Sequence, residues 1–437
     1  MALVLQNALL CDIDPPRVEL GSLRIDGGKI AARGEVQPAA GDNIVDCGGA
    51  VVLPGLVNGH THLYSALAVG MPAPPRPPKN FLAILQLVWW RLDRALDEES
   101  ILTSALMGAL QAARCGTTTL IDHHASPQCI AGSLDLVERG LLQVGIRGVL
   151  CYETTDRNGR AGREAGLAEN RRYLQKCRTN RSGRFAGLVG AHAAFTLEDE
   201  SLDLSARMAE EFHTGVHIHV AEDPCDEEAC RREHGLALME RLERHGLVQP
   251  ATIFAHGTHL HAAAIERVNA VGLTLAHNPR SNMNNSVGYT PVAKFRAPVM
   301  LGTDGIGADM FTEARQAWFK ACDAQQGLTP NHVLRMLAAS ARRASAALGV
   351  TLGQLAVGAE ADVVITDYVP FTLLTADNLA AHFIFAIGAQ HVRDVLVSGD
   401  YVQQDRRVVT CNEATACQEA VSVSGRLWER MAAIPAP

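Results

Sequence analysis

Seventeen histidines occur in the 437 residues, and three pairs read His-x-His: His60/His62, His217/His219 and His259/His261. Random placement of that many histidines yields about 0.7 such pairs, so position must decide which imidazoles matter. His60 and His62 close an apolar run that begins at Pro54-Gly55-Leu56-Val57. Residues i and i+2 of a strand share a face, so both rings can reach one metal ion, a role imidazole fills for Zn, Fe, Ni and Cu. His219 ends another run, His217-Ile218-His219, with Glu222 three residues on, where a carboxylate can meet a water held by the metal. His219 is therefore the expected third ligand, and His217, deeper in the run, reads as a core histidine held by hydrogen bonds. Asp304 in Leu301-Gly302-Thr303-Asp304-Gly305 would be a turn residue if it stood alone. At the end of a strand facing the histidines it is the expected fourth ligand. His192 and His256 end two more runs as catalytic groups or ligands, and the pattern as a whole is that of a metal hydrolase.

Eight short apolar runs must position these side chains: 57–62, 118–122, 146–152, 188–192, 216–220, 252–256, 273–277 and 299–304. Each resembles a strand buried on both faces, and segments of helical period, such as 99–115, 202–213 and 236–245, separate most of them. The α/β alternation predicts a (β/α)8 TIM barrel over 54–355 with its site at the C-terminal ends of the strands. A doubly wound sheet is the alternative, but no Gly-x-Gly-x-x-Gly follows an early strand. Residues 1–53 and 356–437 carry short β-rich runs and turns such as Asp26-Gly27-Gly28, each too small for a core alone. They are expected to pair as one composite β-sandwich domain. The proline-rich stretch 72–78 reads as a loop covering the first strand's end.

Composition narrows the partners. The formal charge is −8 with no basic block, which excludes a nucleic-acid backbone as an expected partner. No apolar run approaches the ~18–20 residues of a membrane span, and the first sixteen residues hold no lysine or arginine to open a secretion signal. Eleven cysteines without a Cys-x-x-Cys pair fit a reducing compartment, so a cytoplasmic location is expected. Five lysines occur, none in the fourth run. A two-metal barrel site normally needs a carbamylated lysine there, so one divalent metal ion is expected.

Taken together, Pro54-Gly55-Leu56-Val57-Asn58-Gly59-His60-Thr61-His62, Gly190-Ala191-His192, His219-Val220-Ala221-Glu222, Ala255-His256-Gly257, Asn278-Pro279-Arg280-Ser281-Asn282 and Gly302-Thr303-Asp304-Gly305 resemble the amidohydrolase superfamily, in its cytosine-deaminase-like mononuclear branch. The stretch Trp89 to Ser100, with Asp122-His123-His124-Ala125-Ser126, Glu153 to Asn158 and Ser281 to Asn285, is similar to the SsnA family of aminohydrolases associated with selenium metabolism.

The resemblance implies that His60, His62, His219 and Asp304 hold one zinc or iron ion. It also implies that Asp304 and His256 take the proton of a water attacking an amino-bearing sp2 carbon, and that Glu222 protonates the adjacent ring nitrogen and then the leaving ammonia. His192 would polarise or steer the substrate, and Trp89 would stack on a flat ring or pack on the barrel. His123, His124 and Glu153 could contact substrate or serve the loops, while His259 and His261 are expected to be structural. The expected activity is hydrolytic deamination of an amino-substituted nitrogen heterocycle, purine- or pterin-like. The alternative is opening of a cyclic amide or imine. A small-molecule substrate and a homo-oligomer are the expected partners.

Overall fold

The computed structural model describes residues 2–436; Met1 and Pro437, the outer ends of the expected composite domain, lie outside the described residues. Eight parallel strands form the barrel: Leu56–Thr61, Thr117–His124, Arg147–Tyr152, a fourth split into Phe185–Gly187 and Val189–Ala193, then Val216–Val220, Ile253–His256, Thr274–His277 and Val299–Leu301. Nearly every residue in them is buried, which is why each reads in sequence as a continuous apolar run rather than an alternating one. Two parallel sheets, one of the first to fourth strands and one of the fourth to eighth, are joined through bridges Thr154–Ala191 and Thr61–Asp304.

Glycine makes the second closure possible. A Cβ on Gly59 would lie 2.7 Å from the Leu301 carbonyl oxygen, and one on Gly302 would lie 2.7 Å from the His60 Cβ. Only side-chain-free positions let the first and eighth strands approach so closely, and that approach sets His60 against Asp304.

Both chain ends build one mixed nine-stranded sheet in which Leu3–Ile13 pairs with Pro16–Asp26 and also with Asn43–Asp46 and Val51–Pro54. Val363–Thr366 pairs with Val51–Pro54 and so ties the C-terminal strands to the N-terminal ones. Asp26-Gly27-Gly28 forms the expected turn, with φ of 57° and 79° at the glycines, values that suit a tight hairpin. Arg147 at the start of the third barrel strand reaches into this domain. It donates to both carboxylate oxygens of Asp362 at 2.9 Å, to Glu360 at 2.8 Å and to Ser398.

Helix Glu98–Arg114 opens on a capping box formed by Asp97 and Ser100, the geometry that an acidic N-cap with a hydroxyl three residues on favours. The last helix, Glu413–Ala433, falls within the range expected for the β-domain but lies on the barrel. Ala416, Ala420, Val423 and Leu427 bury an i, i+4, i+7, i+11 stripe in the core that also contains Ile101 and Leu110, and Arg91 donates to the carbonyls of Met431 and Ile434. The prolines at 72–78 are mostly exposed; the helices that follow them, from Phe81, supply the wall of the pocket at the barrel mouth. Among the described residues no helix is long and apolar enough to cross a membrane.

Candidate functional site

The side chains at the ends of the first, fifth, sixth and eighth strands converge. His62 Nε2 lies 2.9 Å from Asp304 Oδ1 and 3.1 Å from His219 Nε2, and His60 Nε2 lies 3.4 Å from Asp304 Oδ1. Ligand-capable atoms of His60, His219, His256 and Asp304 all fall within 4.8 Å of one another, as do those of His62, His123 and His219.

Hydrogen bonds fix which nitrogen of each ring faces the cluster. His62 Nδ1 donates to the His123 carbonyl at 2.6 Å and His219 Nδ1 to the His192 carbonyl at 2.9 Å. His60 Nδ1 stands 2.8 Å from Nε2 of His217, the buried histidine expected to serve the core. The Nε2 atoms of His62 and His219 therefore confront each other at 3.1 Å, and His60 Nε2 is buried with no hydrogen-bond partner. Two facing ring nitrogens need a proton or a metal cation between them, and bonds of this kind on the opposite ring nitrogen are what hold histidine ligands. Burial pushes His60 down to about 3. Burial also opposes charge on His62, but the Asp304 carboxylate outweighs it and draws that ring up to about 9, so the cluster favours positive charge at this point. The donor set fits a divalent metal ion of the zinc type.

Backbone strain accompanies the site. Ala221, His256 and Asp304 have φ of 51°, 74° and 54°, left-handed conformations that cost energy in non-glycine residues. They turn Glu222, His256 and Asp304 into the mouth. His256 Nε2 is 3.5 Å from Glu222 Oε2 and 3.8 Å from Asp304 Oδ2, while Asn282 Oδ1 accepts from His256 Nδ1 at 2.8 Å. Ser281 donates its hydroxyl to Asp304 Oδ2, and Asn285 donates to Glu222 Oε1 at 3.3 Å. Burial pushes the Glu222 carboxyl up to about 7, against the pull of His256.

The pocket above this cluster is lined by Phe81, Leu85, Trp89, Trp90 and Phe195, with Glu153, His192 and Glu222 among its polar groups. Trp89 and His192, the two residues expected at the substrate, both face it. His123 and His124 lie within the second strand, buried, and bond to the His217 carbonyl and to Ser126. His259 bonds the Val287 carbonyl and His261 caps a helix. Sequence reasoning did not single out Trp90, although the adjacent tryptophan pair marked the segment. Roles for Asn282 and Asn285 were also missed: Asn-Pro-Arg-Ser-Asn was visible as a motif, but its polar atoms meet the site only through the short helix Pro279–Asn284.

Residues 51–402 match the amidohydrolase family. The chain is 29% identical to a 5-methylthioadenosine/S-adenosylhomocysteine deaminase of Desulforudis audaxviator, with 98% of this chain and 100% of that one covered. It is 28% identical to a 5'-deoxyadenosine deaminase of Methanosarcina mazei, with 98% and 99% covered. A zinc-bound adenosine deaminase from Xanthomonas campestris superposes with a TM-score of 0.84 at 22% identity, covering 99% of each chain. The zinc complex of atrazine chlorohydrolase TrzN from Arthrobacter aurescens superposes at 0.78 and 20%, covering 98% and 100%.

Proposed function

The chain belongs to the amidohydrolase family, and from that membership we propose that it deaminates an adenine-type purine ring, free or as a nucleoside, by hydrolysis. The observation that carries this reading is the placement of Glu222 and His256, 3.5 Å apart, beside Asp304 and the converging imidazoles. The named substrates of the curated relatives, all adenine nucleosides, support the ring class. The Trp89–Ser100 segment supports a place beside the SsnA family.

One zinc ion is the proposed cofactor, held by His60, His62, His219 and Asp304. His62 and His219 each have a single nitrogen free of backbone bonds, so a second ion at His123 would compete for the same two atoms. When bound, the ion would supply an acidified water, with a pKa brought toward ~7.

The protein's own groups do the rest. His256 donates through Nδ1 to Asn282 and so keeps a lone pair on Nε2 to take a proton, as Asp304 Oδ2 can from the other side. Glu222, pushed up to about 7 by burial, retains a proton near neutrality to give to the ring nitrogen beside the attacked carbon. Its carboxylate then takes the proton of the newly added hydroxyl and passes it to the amine, so that the C–N bond breaks, ammonia leaves and the carbonyl forms. The proton held by His256, 3.5 Å away, restores Glu222. The aromatic walls exclude water and hold a flat ring in register.

A panel of amino-substituted and cyclic-amide heterocycles assayed for both ammonia and ring-opened product tests the reading. Ammonia formed in step with loss of a purine 6-amino group is expected. A ring-opened product without ammonia would replace deamination with cyclic amide or imine hydrolysis.

A further inference from the structure

One carboxylate in the pocket has no part in the proton transfers above. Glu153 follows the third barrel strand, its side chain is 4% exposed, and it lines the pocket. The nearest side-chain nitrogens lie outside ordinary bonding range or at its margin: His123 Nδ1 at 3.3 Å, His192 Nε2 at 3.6 Å, Arg157 Nη2 at 3.8 Å and His62 Nδ1 at 3.9 Å. Arg157 is already engaged with Asp93 at 3.0 Å and lies over the Trp90 ring.

The facing nitrogen of His192 is also an acceptor. Thr196 donates its hydroxyl to the Ala193 carbonyl at 3.0 Å, so its oxygen receives His192 Nδ1–H, 2.6 Å away. That leaves Nε2 of the neutral ring with a lone pair. Two buried acceptors, Glu153 Oε1 and His192 Nε2, thus face each other 3.6 Å apart in a pocket wall. A nitrogen about 2.9 Å from both, an ordinary donor–acceptor distance for an N–H hydrogen bond, fits between them and satisfies both if it carries two hydrogens.

We propose that Glu153 and His192 form a subsite for a second amino group on the substrate ring, one that is recognised and not removed. The inference rests on the deaminase reading and narrows its substrate to diamino-substituted purine-type heterocycles. Depth argues for a ring substituent over the hydroxyl pair of an attached sugar, which also carries two donors. Glu153 Oε2 lies 3.9 Å from Nδ1 of His62, one of the converging imidazoles, whereas the exposed lining residue is Asn284.

The test compares 2,6-diaminopurine riboside, adenosine and 2',3'-dideoxyadenosine on the metal-loaded enzyme. Both kcat/KM for ammonia release and Kd by quenching of tryptophan fluorescence are read. Wild-type protein is expected to favour the diamino ring over adenosine at least 10-fold, a modest demand for a site built around a donor. Glu153→Gln is expected to reduce that ratio to near unity, and Thr196→Val, which frees the His192 tautomer, to lower it in part. Equal values for the two rings, or a preference that follows only the sugar hydroxyls, would overturn the assignment, and the wild-type comparison alone decides this if a variant does not fold. Absence of ammonia from every compound would count against deamination, while the Kd ratio would still decide the subsite.

Discussion

Asn282 Oδ1 stands 2.8 Å from His256 Nδ1, and the same amide donates to Thr290, whose hydroxyl donates to the carbonyl of His256. This closed circuit settles the amide orientation and the imidazole tautomer together, leaving Nε2 basic. Replacing Asn282 by Leu should lower kcat about 10- to 100-fold, the usual scale for a neighbour that orients a working imidazole, with a smaller change in KM. Asn282→Asp, which keeps the acceptor, should recover part of the loss. An equal loss in both variants, with an unchanged pH profile, would mean that Asn282 only fills space.

Glu222 can be tested at constant shape. Glu222→Gln keeps the Asn285 contact and removes the transferable proton, so turnover should fall by about 10²–10⁴-fold. Bound metal should stay at the wild-type ratio, because the converging imidazoles are untouched. Wild-type activity in this variant, read by ammonia release beside metal analysis, would remove Glu222 from the mechanism.

His217 acts at one remove. Its Nε2 lies 2.8 Å from His60 Nδ1, and its own Nδ1 is 3.9 Å from the Cys151 sulfur. Replacement by Leu leaves a buried His60 N–H without an acceptor and frees the ring to turn. Metal affinity should fall about 10- to 100-fold, measured by competition with a chelator, and excess zinc should restore activity. Unchanged affinity would make His217 a packing residue.

Much of the barrel was legible because its strands are buried on both faces, which leaves uninterrupted apolar runs ending in polar residues. That same rule marked His60, His62, His219, His256 and Asp304, since a polar residue closing such a run has little place to go but the barrel mouth. What one strand end could not disclose was pairing across the mouth. The facing of Glu153 and His192 depends on how two neighbouring strand ends stagger, through the Thr154–Ala191 bridge. Ser281 and Asn285 reach Asp304 and Glu222 because Pro279 starts a helix of less than two turns. The docking of helix Glu413–Ala433 on the barrel was hidden for a different reason: an amphipathic stripe announces that a helix packs, but not on which partner.

Arg147 joins the two domains through a buried ion pair with Asp362, supported by Glu360, Ser398 and the Gly183 carbonyl. Removing one partner of a buried pair leaves the other charge uncompensated. Arg147→Leu should therefore destabilise the fold by about 3–5 kcal/mol, seen as a lower urea midpoint. The double variant Arg147→Leu/Asp362→Leu should recover part of that. A change below about 1 kcal/mol in the single variant would show that the domains dock by apolar contact alone.

Asp226 gives stability a pH dependence of calculable sign. Its carboxyl accepts from the backbone N–H groups of Ala221 and Phe195 at 2.9 and 3.1 Å, bracing the strand end that carries Glu222. Burial is the largest influence and pushes it from 3.8 up to about 7, although both N–H groups pull the other way. Between about pH 4 and about pH 7 the folded chain therefore keeps a proton that the unfolded chain has released. Stability from this group is fully present below the lower value and falls as pH rises through the window, by up to ~1.4 kcal/mol per pH unit. Asn at 226 cannot ionise and has no such slope. The Asp226→Asn variant should gain on the wild type steadily from about pH 4 to about pH 7 and hold a constant difference above, as read from urea midpoints. Parallel curves for the two proteins across that range would show that Asp226 is ionised in the fold throughout.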